Sequence, residues 1–460
     1  MKGTLIAVSL GSNEGDRELW LGSARKALGA LSGTRIVRES RVRETEPVDV
    51  PAEFRDMKFL NQVVLLETTL EVHEFSRLMH GIEDDLGRVR TVRNGPRNID
   101  IDLIFFGDEV LDEPGLAVPH PRAKSRAFVM EPLREVMGLR SWAAFLRLPN
   151  IGTAFGDAIA GAVVAALSTG SLGGRGGLLA WSSSFGWREV LGASLAAAFL
   201  YLFGLADNDI VDKARDEAKS PLRPLASGLI GINSAIVARA ALLAVSAAFW
   251  SLAVWGQSPV SALPFAAVAI LVILYNRIKT RLPLLGIVVM GLCRGAAVML
   301  GAFAALGADG ATPAVVLMAG GWTAYISAVT LLGLNEESAS RPLGGWRYLG
   351  AITAFMPLLA FIALPPEVPQ IVPSMCIPLI GALAAAATWM AAVAPLGAEH
   401  GPQERGRAVG MAVSALVYLQ VGFILTVAIP STALAAGAVW LVSRMVRRLS
   451  SRFVPQVTGS

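Results

Sequence analysis

Gly87 to Gly107 reads GRVRTVRNGPRNIDIDLIFFG. Its last third, Asn98 to Phe106, alternates with a period of two. Asp100 and Asp102 fall on one face of a strand, while Ile99, Ile101 and Leu103 fall on the other. Like charges that close raise one another's pKa unless a cation lies between them. Hard divalent cations such as Mg²⁺ take one or two carboxylates together with substrate phosphate oxygens. Arg88, Arg90, Arg93 and Arg97 lie just upstream, and their planar forks match phosphate. Carboxylates for Mg²⁺ beside guanidiniums for polyphosphate point to phosphoryl transfer from a nucleotide. Each half has a blander reading alone: a D-x-D as a solvated edge, an Arg-rich turn as a solvent-facing or nucleic-acid patch. The combined order is far more specific than either part.

The rest of the chain sets that stretch in an unusual frame. Of 460 residues, 53% are hydrophobic and only 17% charged, and the mean hydropathy is +0.54. This is too apolar for an ordinary soluble protein. The first 140 residues hold 20 Lys+Arg against 23 Asp+Glu, net −3; the remaining 320 hold 20 against 13, net +7. The sequence pI of about 9.2 thus belongs to a charge-poor second part, where basic residues flank membrane spans and do not form a nucleic-acid surface. Cys293 and Cys376 both sit in apolar runs, and His73, His80, His120 and His400 are scattered. A disulfide framework and a Cys/His metal cluster are therefore excluded. Met1 to Leu10 reads as a strand, not as a cleavable signal peptide.

Within residues 1–138, strand-like segments at Thr4–Leu10, Thr34–Val42, Asn61–Thr68 and Asn98–Phe106 alternate with helical patterns at Asp16–Leu31 and Glu71–Leu86. That order predicts an α+β domain with helices packed on one sheet. Six motifs run in register along it: Leu10-Gly11-Ser12-Asn13 with Gly15, Glu44-Thr45-Glu46-Pro47-Val48, Phe59-Leu60-Asn61, Ile82-Glu83 with Leu86-Gly87-Arg88, Val118-Pro119-His120-Pro121-Arg122, and Arg126 with Phe128 and Pro132-Leu133. Together with the opening stretch they resemble the 6-hydroxymethyl-7,8-dihydropterin pyrophosphokinases of folate biosynthesis.

The resemblance implies a ferredoxin-like α+β sandwich that transfers diphosphate from ATP to 6-hydroxymethyl-7,8-dihydropterin. It implies that Asp100 and Asp102 bind two Mg²⁺ ions, and that Arg88, Arg97, His120 and Arg126 grip ATP and its phosphates. Asn61 would bond the pterin edge, with Thr45 and Val48 offering backbone contacts and Phe128 a stacking face. A flat, polar-edged heterocycle calls for such an amide and such an aromatic plane. The chain departs from the family's habit at Val42-Arg43 and at Asn94. A non-catalytic pterin or RNA binder on the same sheet, the membrane protein's silent appendage, is the alternative. The pair Asp100 and Asp102 argues against it, since a binder has no use for two repelling carboxylates.

After a linker over 139–150, expected to enter the interface through Arg140, Trp142, Phe145 and Arg147, long apolar runs take over. They lie near 153–170, 187–206, 233–255, 259–276, 283–306, 312–333, 347–364, 371–395, 409–429 and 431–446. A span needs about 20 residues, so the expectation for 151–450 is an all-α polytopic bundle of nine or ten transmembrane helices. Its main polar cluster places Asn208, Asp212 and Asp216 four apart on one helix face, followed by Lys219 and Arg223, with Arg294 as a further candidate for the same site. Such a face suits Mg²⁺ and diphosphate, while an acidic run capping a helix is the plainer reading.

The order N-D-x-x-D-x-x-x-D with K-x-x-x-R-P-L-x-S-G downstream resembles the first acidic motif of the UbiA prenyltransferase superfamily. Tyr275-Asn276, Lys279 and the run ending in Arg294-Gly295 are more similar to UbiA-like proteins of ebo gene clusters. Where prenyltransferases carry a second acidic motif, this chain has adjacent Glu336 and Glu337, which diverge by ~100° on a helix. The implied ligand is a prenyl diphosphate or another isoprenoid, either transferred or merely bound. Basic residues concentrate in loops 207–232, 277–282, 334–347 and 396–408. A multi-pass protein of the bacterial inner membrane, with a cytoplasmic N-terminal domain, is the expected location.

Overall fold

The computed structural model describes residues 3–88, 95–148, 151–169, 186–334, 348–365, 376–396 and 402–425, with 436, 437, 439–441 and 444. Arg90, Arg93, Asn94, Glu336 and Glu337 lie outside the described residues, as does most of 431–446. Two compact units emerge: one includes Met1–Phe145 and Asp212–Ser234, the other Leu146–Val211 and Ala235–Ser450.

In the first unit, β1 (Thr4–Ser12), β2 (Thr34–Glu39), β3 (Arg43–Thr45), β4 (Phe59–Thr68) and β5 (Asp100–Phe106) make one antiparallel sheet. Its order is β2-β4-β1-β5, with β3 also pairing to β4. Alternation gives each strand two apolar rows, and each row meets a different helix layer. Ile6, Val8, Leu10, Val64, Leu66, Ile101 and Leu103 pack against α1 (Arg17–Ala30) and α2 (Val72–Asp85). Leu5, Ala7, Val63, Leu65 and Ile104 pack against α3 (Ala127–Phe145). Asp16 caps α1 by accepting from the Leu19 N–H at 3.0 Å. Gly87, at φ +77°, turns the chain out of α2 in a conformation that favours glycine.

Between β1 and β5 the register passes from Val8–Leu103 to Ala7–Phe105. Ile104 is thus an extra residue, a bulge that leaves Ile104 and Phe105 both on the α3 side. A hairpin of β6 (Leu111–Glu113) and β7 (Leu116–Val118) leads back to His120, whose N–H donates to the Ile104 carbonyl at 2.8 Å. The expected linker divides: 139–145 are the last turns of α3, and 149–150 fall outside the described residues.

The second unit is helical, and the long helix α5 passes from it into the first. Among the described residues, eight helices are long and apolar enough to cross a membrane. These are α4 (Ile151–Ser168), α5 (Trp187–Lys219), α6 (Ile232–Ala253), α7 (Leu263–Ile278, which reaches spanning length together with the 3₁₀ turn Pro259–Ala262), α8 (Pro283–Leu306), α9 (Pro313–Gly333), α11 (Cys376–Val393) and α12 (Pro402–Ile424). This is a multi-pass membrane protein. The expected run at 347–364 instead forms a five-residue helix α10 (Leu349–Thr353) and a 3₁₀ segment, Met356–Ala363. Pro357 lacks the N–H that an α-helix would use there. Helix α4 is the most enclosed, with 83% of its span buried, whereas α6 and the span over α7 are 17% and 22% buried. The latter two thus present apolar faces such as Val237, Leu252 and Ile270 outward, as lipid-facing helices do.

Candidate functional site

Sheet geometry assembles the site. Asp100 pairs across to Gly11, Gly11 to Asn61, and Asn61 to Arg43, forming a row over four strands; in the next row Asp102 pairs with Ser9. Residues directly opposite share a face, so both carboxylates, Ser9, Gly11 and Asn61 point the same way. A Cβ on Gly11 would come within 3.2 Å of Asn61 Oδ1, so glycine there leaves the floor open. The result is a cavity of about 180 Å³. Arg88, Arg97, Arg122 and Arg126 surround the two aspartates, and Thr45, Val48, Phe59, Asn61 and Phe128 complete the wall.

Nine of the ten residues expected here line that cavity; His120 does not. Asp100 is gripped from both sides, by Arg88 Nη2 at 2.5 Å and Arg97 Nη1 at 2.8 Å. Asp102 meets Arg126 Nη1 at 3.3 Å and His120 Nε2 at 3.9 Å. Arg97 also lies over the Phe59 ring and Arg126 over Phe128, at 5.6 and 5.5 Å from the centroids. These stacked guanidiniums keep their forks turned to the cavity edge. Asn61 Nδ2 donates to Thr45 Oγ1 at 2.8 Å. Asn13 Oδ1 accepts from the Arg97 N–H at 2.8 Å, tying the β1 turn to the arginine loop.

Burial, then the neighbouring Asp100, pushes the Asp102 carboxyl above the usual carboxylate range. Burial pushes the His120 imidazole below its ordinary value, against the pull of Asp102. Two carboxylates at alternate strand positions offer a divalent ion only part of a shell. That suits Mg²⁺, which keeps waters and fills its octahedron with substrate phosphates. Among the described residues no group of three or more His, Cys, Asp or Glu forms a self-sufficient metal site.

Two contributors escaped the sequence reading. Glu83, 1% exposed, binds Arg88 through one oxygen, and that same oxygen accepts from the Ile101 N–H at 2.7 Å. It therefore fixes both an arginine and the backbone between the two aspartates. The spacing I-E-x-x-L-G-R contained the signal, since Glu83 and Arg88 stand five apart across the helix end. Arg122 was visible only as part of a motif.

Asn208, Asp212 and Asp216 do follow one another along α5, Asn208 in the part of the helix that belongs to the second unit and the two aspartates in the part that belongs to the first. Asp212 and Asp216 are buried and paired, Asp212 with Arg215 at 3.0 Å and Asp216 with Arg223 at 2.8 Å. Asn208 Oδ1 accepts from Lys279, and Lys219 is exposed. Arg294 joins a different partner, Asp157, at 2.9 Å.

Comparison with known proteins divides the chain along similar lines. Residues 7–138 match the model of 7,8-dihydro-6-hydroxymethylpterin-pyrophosphokinase. Residues 166–336 match that of the UbiA prenyltransferase family. The 2-amino-4-hydroxy-6-hydroxymethyldihydropteridine pyrophosphokinase of Bacillus subtilis (strain 168) is 40% identical over 129 residues, covering 28% of this chain and 75% of that protein. The Pseudomonas aeruginosa protein of the same name is 37% identical over 145 residues, covering 32% and 84%. The apo structure of a UbiA homolog from Aeropyrum pernix K1 is similar at 18% identity and a TM-score of 0.44, covering 60% of this chain and 97% of that one.

Proposed function

Because the chain belongs, through residues 7–138, to the 7,8-dihydro-6-hydroxymethylpterin-pyrophosphokinase family, we propose that Asp100 and Asp102 are the metal ligands of its diphosphate transfer and that Arg88, Arg97, His120 and Arg126 hold ATP. The single observation that carries this is the cavity in which two carboxylates share a floor under four arginines. We read the antiparallel order β2-β4-β1-β5 as ferredoxin-like, with the domain ending near 138.

The reaction joins the pterin hydroxymethyl oxygen to the β-phosphorus of ATP and breaks the bond to the α-phosphate's bridging oxygen, releasing AMP. Asp100 and Asp102 would hold a pair of Mg²⁺ ions, which would supply neutralisation of the phosphate charge as the hydroxymethyl oxygen approaches the β-phosphorus. The chain's own share is orientation and electrostatics. Asn61 and the backbone near Thr45 and Val48 read the pterin edge, and Phe128 stacks on its ring. Arg97 and Arg126, stiffened on Phe59 and Phe128, fix the triphosphate. Arg88, backed by Glu83, balances Asp100. His120, 3.9 Å from Asp102, offers a ring nitrogen to ATP from beside the carboxylate. No side chain is asked to act as a covalent nucleophile.

AMP formation by the full-length protein, with ATP, Mg²⁺ and 6-hydroxymethyl-7,8-dihydropterin, tests this. Activity lost in both Asp100→Ala and Asp102→Ala is the expected result. A folded wild-type protein that releases no AMP would leave a silent, pterin-binding appendage.

The second region is a UbiA-type, prenyltransferase-like membrane domain. Its ligand, on our reading, is an isoprenoid or prenyl diphosphate, with Mg²⁺ at Asn208, Asp212 and Asp216 supported by their single helix face. Mg²⁺-dependent diphosphate release separates a transferase from a binding or transport protein. ATP and Mg²⁺ supply favours a bacterial inner-membrane protein with the first domain in the cytoplasm.

A further inference from the structure

The first unit holds a second cavity, of about 290 Å³, whose lining residues all belong to that unit. It shares only His120 with the residues expected to hold ATP and pterin, and neither aspartate lines it. Leu5, Ile104 and Phe105 of the sheet form its floor. Met130, Leu133, Met137 and Ala144 follow one another at helical spacing along α3, so one wall runs for about 20 Å at ~1.5 Å per residue. Pro221, Leu222 and Leu229, from the segment after α5, close the other side. That segment is held in place: Arg134 Nε donates to the Gly228 carbonyl at 3.0 Å, and Lys124 Nζ to Glu217 at 2.5 Å.

Such walls call for an apolar occupant, and the volume is near the lower bound of small-molecule sites, ~300 Å³. One group does not fit that description. Among the charged side chains around the cavity, Lys124 pairs with Glu217 and Asp108 is exposed. Arg140, in contrast, is half-buried and forms neither an ion pair nor a hydrogen bond among the described residues. Burial pulls the Arg140 guanidinium below its ordinary value; Glu67 opposes this but is itself paired with Arg35, and the like charge of Arg38 adds to it. A charge drawn out of water costs free energy unless it is paired. Arg140 and the wall of Pro221, Leu222 and Leu229 lie outside residues 7–138, so the pyrophosphokinase match does not account for them.

We propose that this cavity binds a long-chain carboxylate, with the carboxylate on Arg140 and the chain along Met137, Leu133 and Met130. The planar guanidinium takes both oxygens of a carboxylate at once. A single unpaired arginine matches a single negative charge, whereas a phosphate monoester brings about −1.5 to −2. A neutral apolar molecule would fill the walls and leave the arginine unpaired. The inference goes beyond the diphosphate transfer and the isoprenoid reading, and it needs neither.

The test uses full-length protein in lipid nanodiscs, titrated calorimetrically with decanoate, decanol and decyl phosphate, while empty nanodiscs correct for partition into lipid. Decanoate should saturate one site per chain and bind about tenfold more tightly than decanol, the scale of one hydrogen bond between charged groups. Arg140→Gln should erase that preference, and Arg140→Lys should keep part of it. Ala144 lies one turn beyond Arg140 and is half-buried. Ala144→Phe puts a ring into the Arg140 end with the charge intact and should abolish decanoate binding, so it decides the matter if the arginine variants do not fold. Absence of saturable decanoate binding, equal affinity for decanoate and decanol, or tighter binding of decyl phosphate overturns the proposal. Wild-type decanoate affinity in Arg140→Gln or in Ala144→Phe overturns it as well.

Discussion

The chain carries two acidic runs beside arginines, one on a strand and one on a helix, and they distribute charge differently. On β5 the period of two sends Asp100 and Asp102 to the same face, so both look into one cavity and share its arginines. On α5 the residues 207, 208, 209, 212 and 216 fan around the axis. Asp207 is buried against Arg239 and Arg277 at 3.0 and 3.1 Å and accepts from Asn276 at 2.9 Å. Asp209 pairs with Arg147 at 2.8 Å. Much of the helical acidity therefore ties helices together, whereas the acidity of the strand converges on one cavity. Acidic density by itself does not distinguish a site from a brace; the periodicity of the backbone beneath it does.

The sharpest way to break this contrast is to remove either strand aspartate. Asp100→Ala and Asp102→Ala should each lower kcat/KM for AMP formation by ~10²-fold or more, about the scale for losing one group that stabilises the transition state. Glu83→Ala comes next. It strands Arg88 and the Ile101 N–H in a buried position, which should cost about 3–5 kcal/mol as a broken buried pair, read as a fall in the Tm of the first unit. Glu83→Gln, which still accepts from Ile101, should cost less.

On the helix, Asp207→Asn should lower the thermal stability of the membrane region by about 1–3 kcal/mol, the range for leaving buried partners unsatisfied, with no change in AMP formation. Asp212→Asn should leave AMP formation unchanged too, but should reduce any Mg²⁺-dependent binding of prenyl diphosphate. The smallest effect belongs to the surface pair Arg25–Glu39, 3.0 Å apart and about one third exposed on each side. Its removal should change stability by ~1 kcal/mol at most.

The strands that bury an alternating row were legible from sequence: β1, β2, β4 and β5 lie where the patterns placed them, as do α1 and α2. Helix α3 was not read as a helix, because Pro132 and Gly138 look like breakers. Yet Val129, Leu133 and Val136 are spaced four and three apart and pack on the sheet, a period that outweighs both. Strands β3, β6 and β7 have three residues each, too few to show a period. In the membrane region, hydropathy located the runs but could not register that Pro357 shortens one of them. Partners such as Asp157 and Gln420, 263 positions apart, are joined only by the packing of α4 against α12. No local signal announces them.

The extra residue at Ile104 gives β5 two phases. Up to that point, even-numbered positions face α3 and the cavity; from Phe105 onward the assignment inverts, so that Phe106 reaches Phe75 on the opposite layer, with ring centroids 6.1 Å apart. The strand thus behaves as two short words read in different frames. A one-residue deletion at Ile104 would restore a single frame without disturbing either face: Phe105 would follow Leu103 on the α3 side, while the aspartates kept their cavity and Phe106 its core. What it would remove is the carbonyl that receives the His120 N–H, so the extra residue serves the strand's neighbour and not its own two faces.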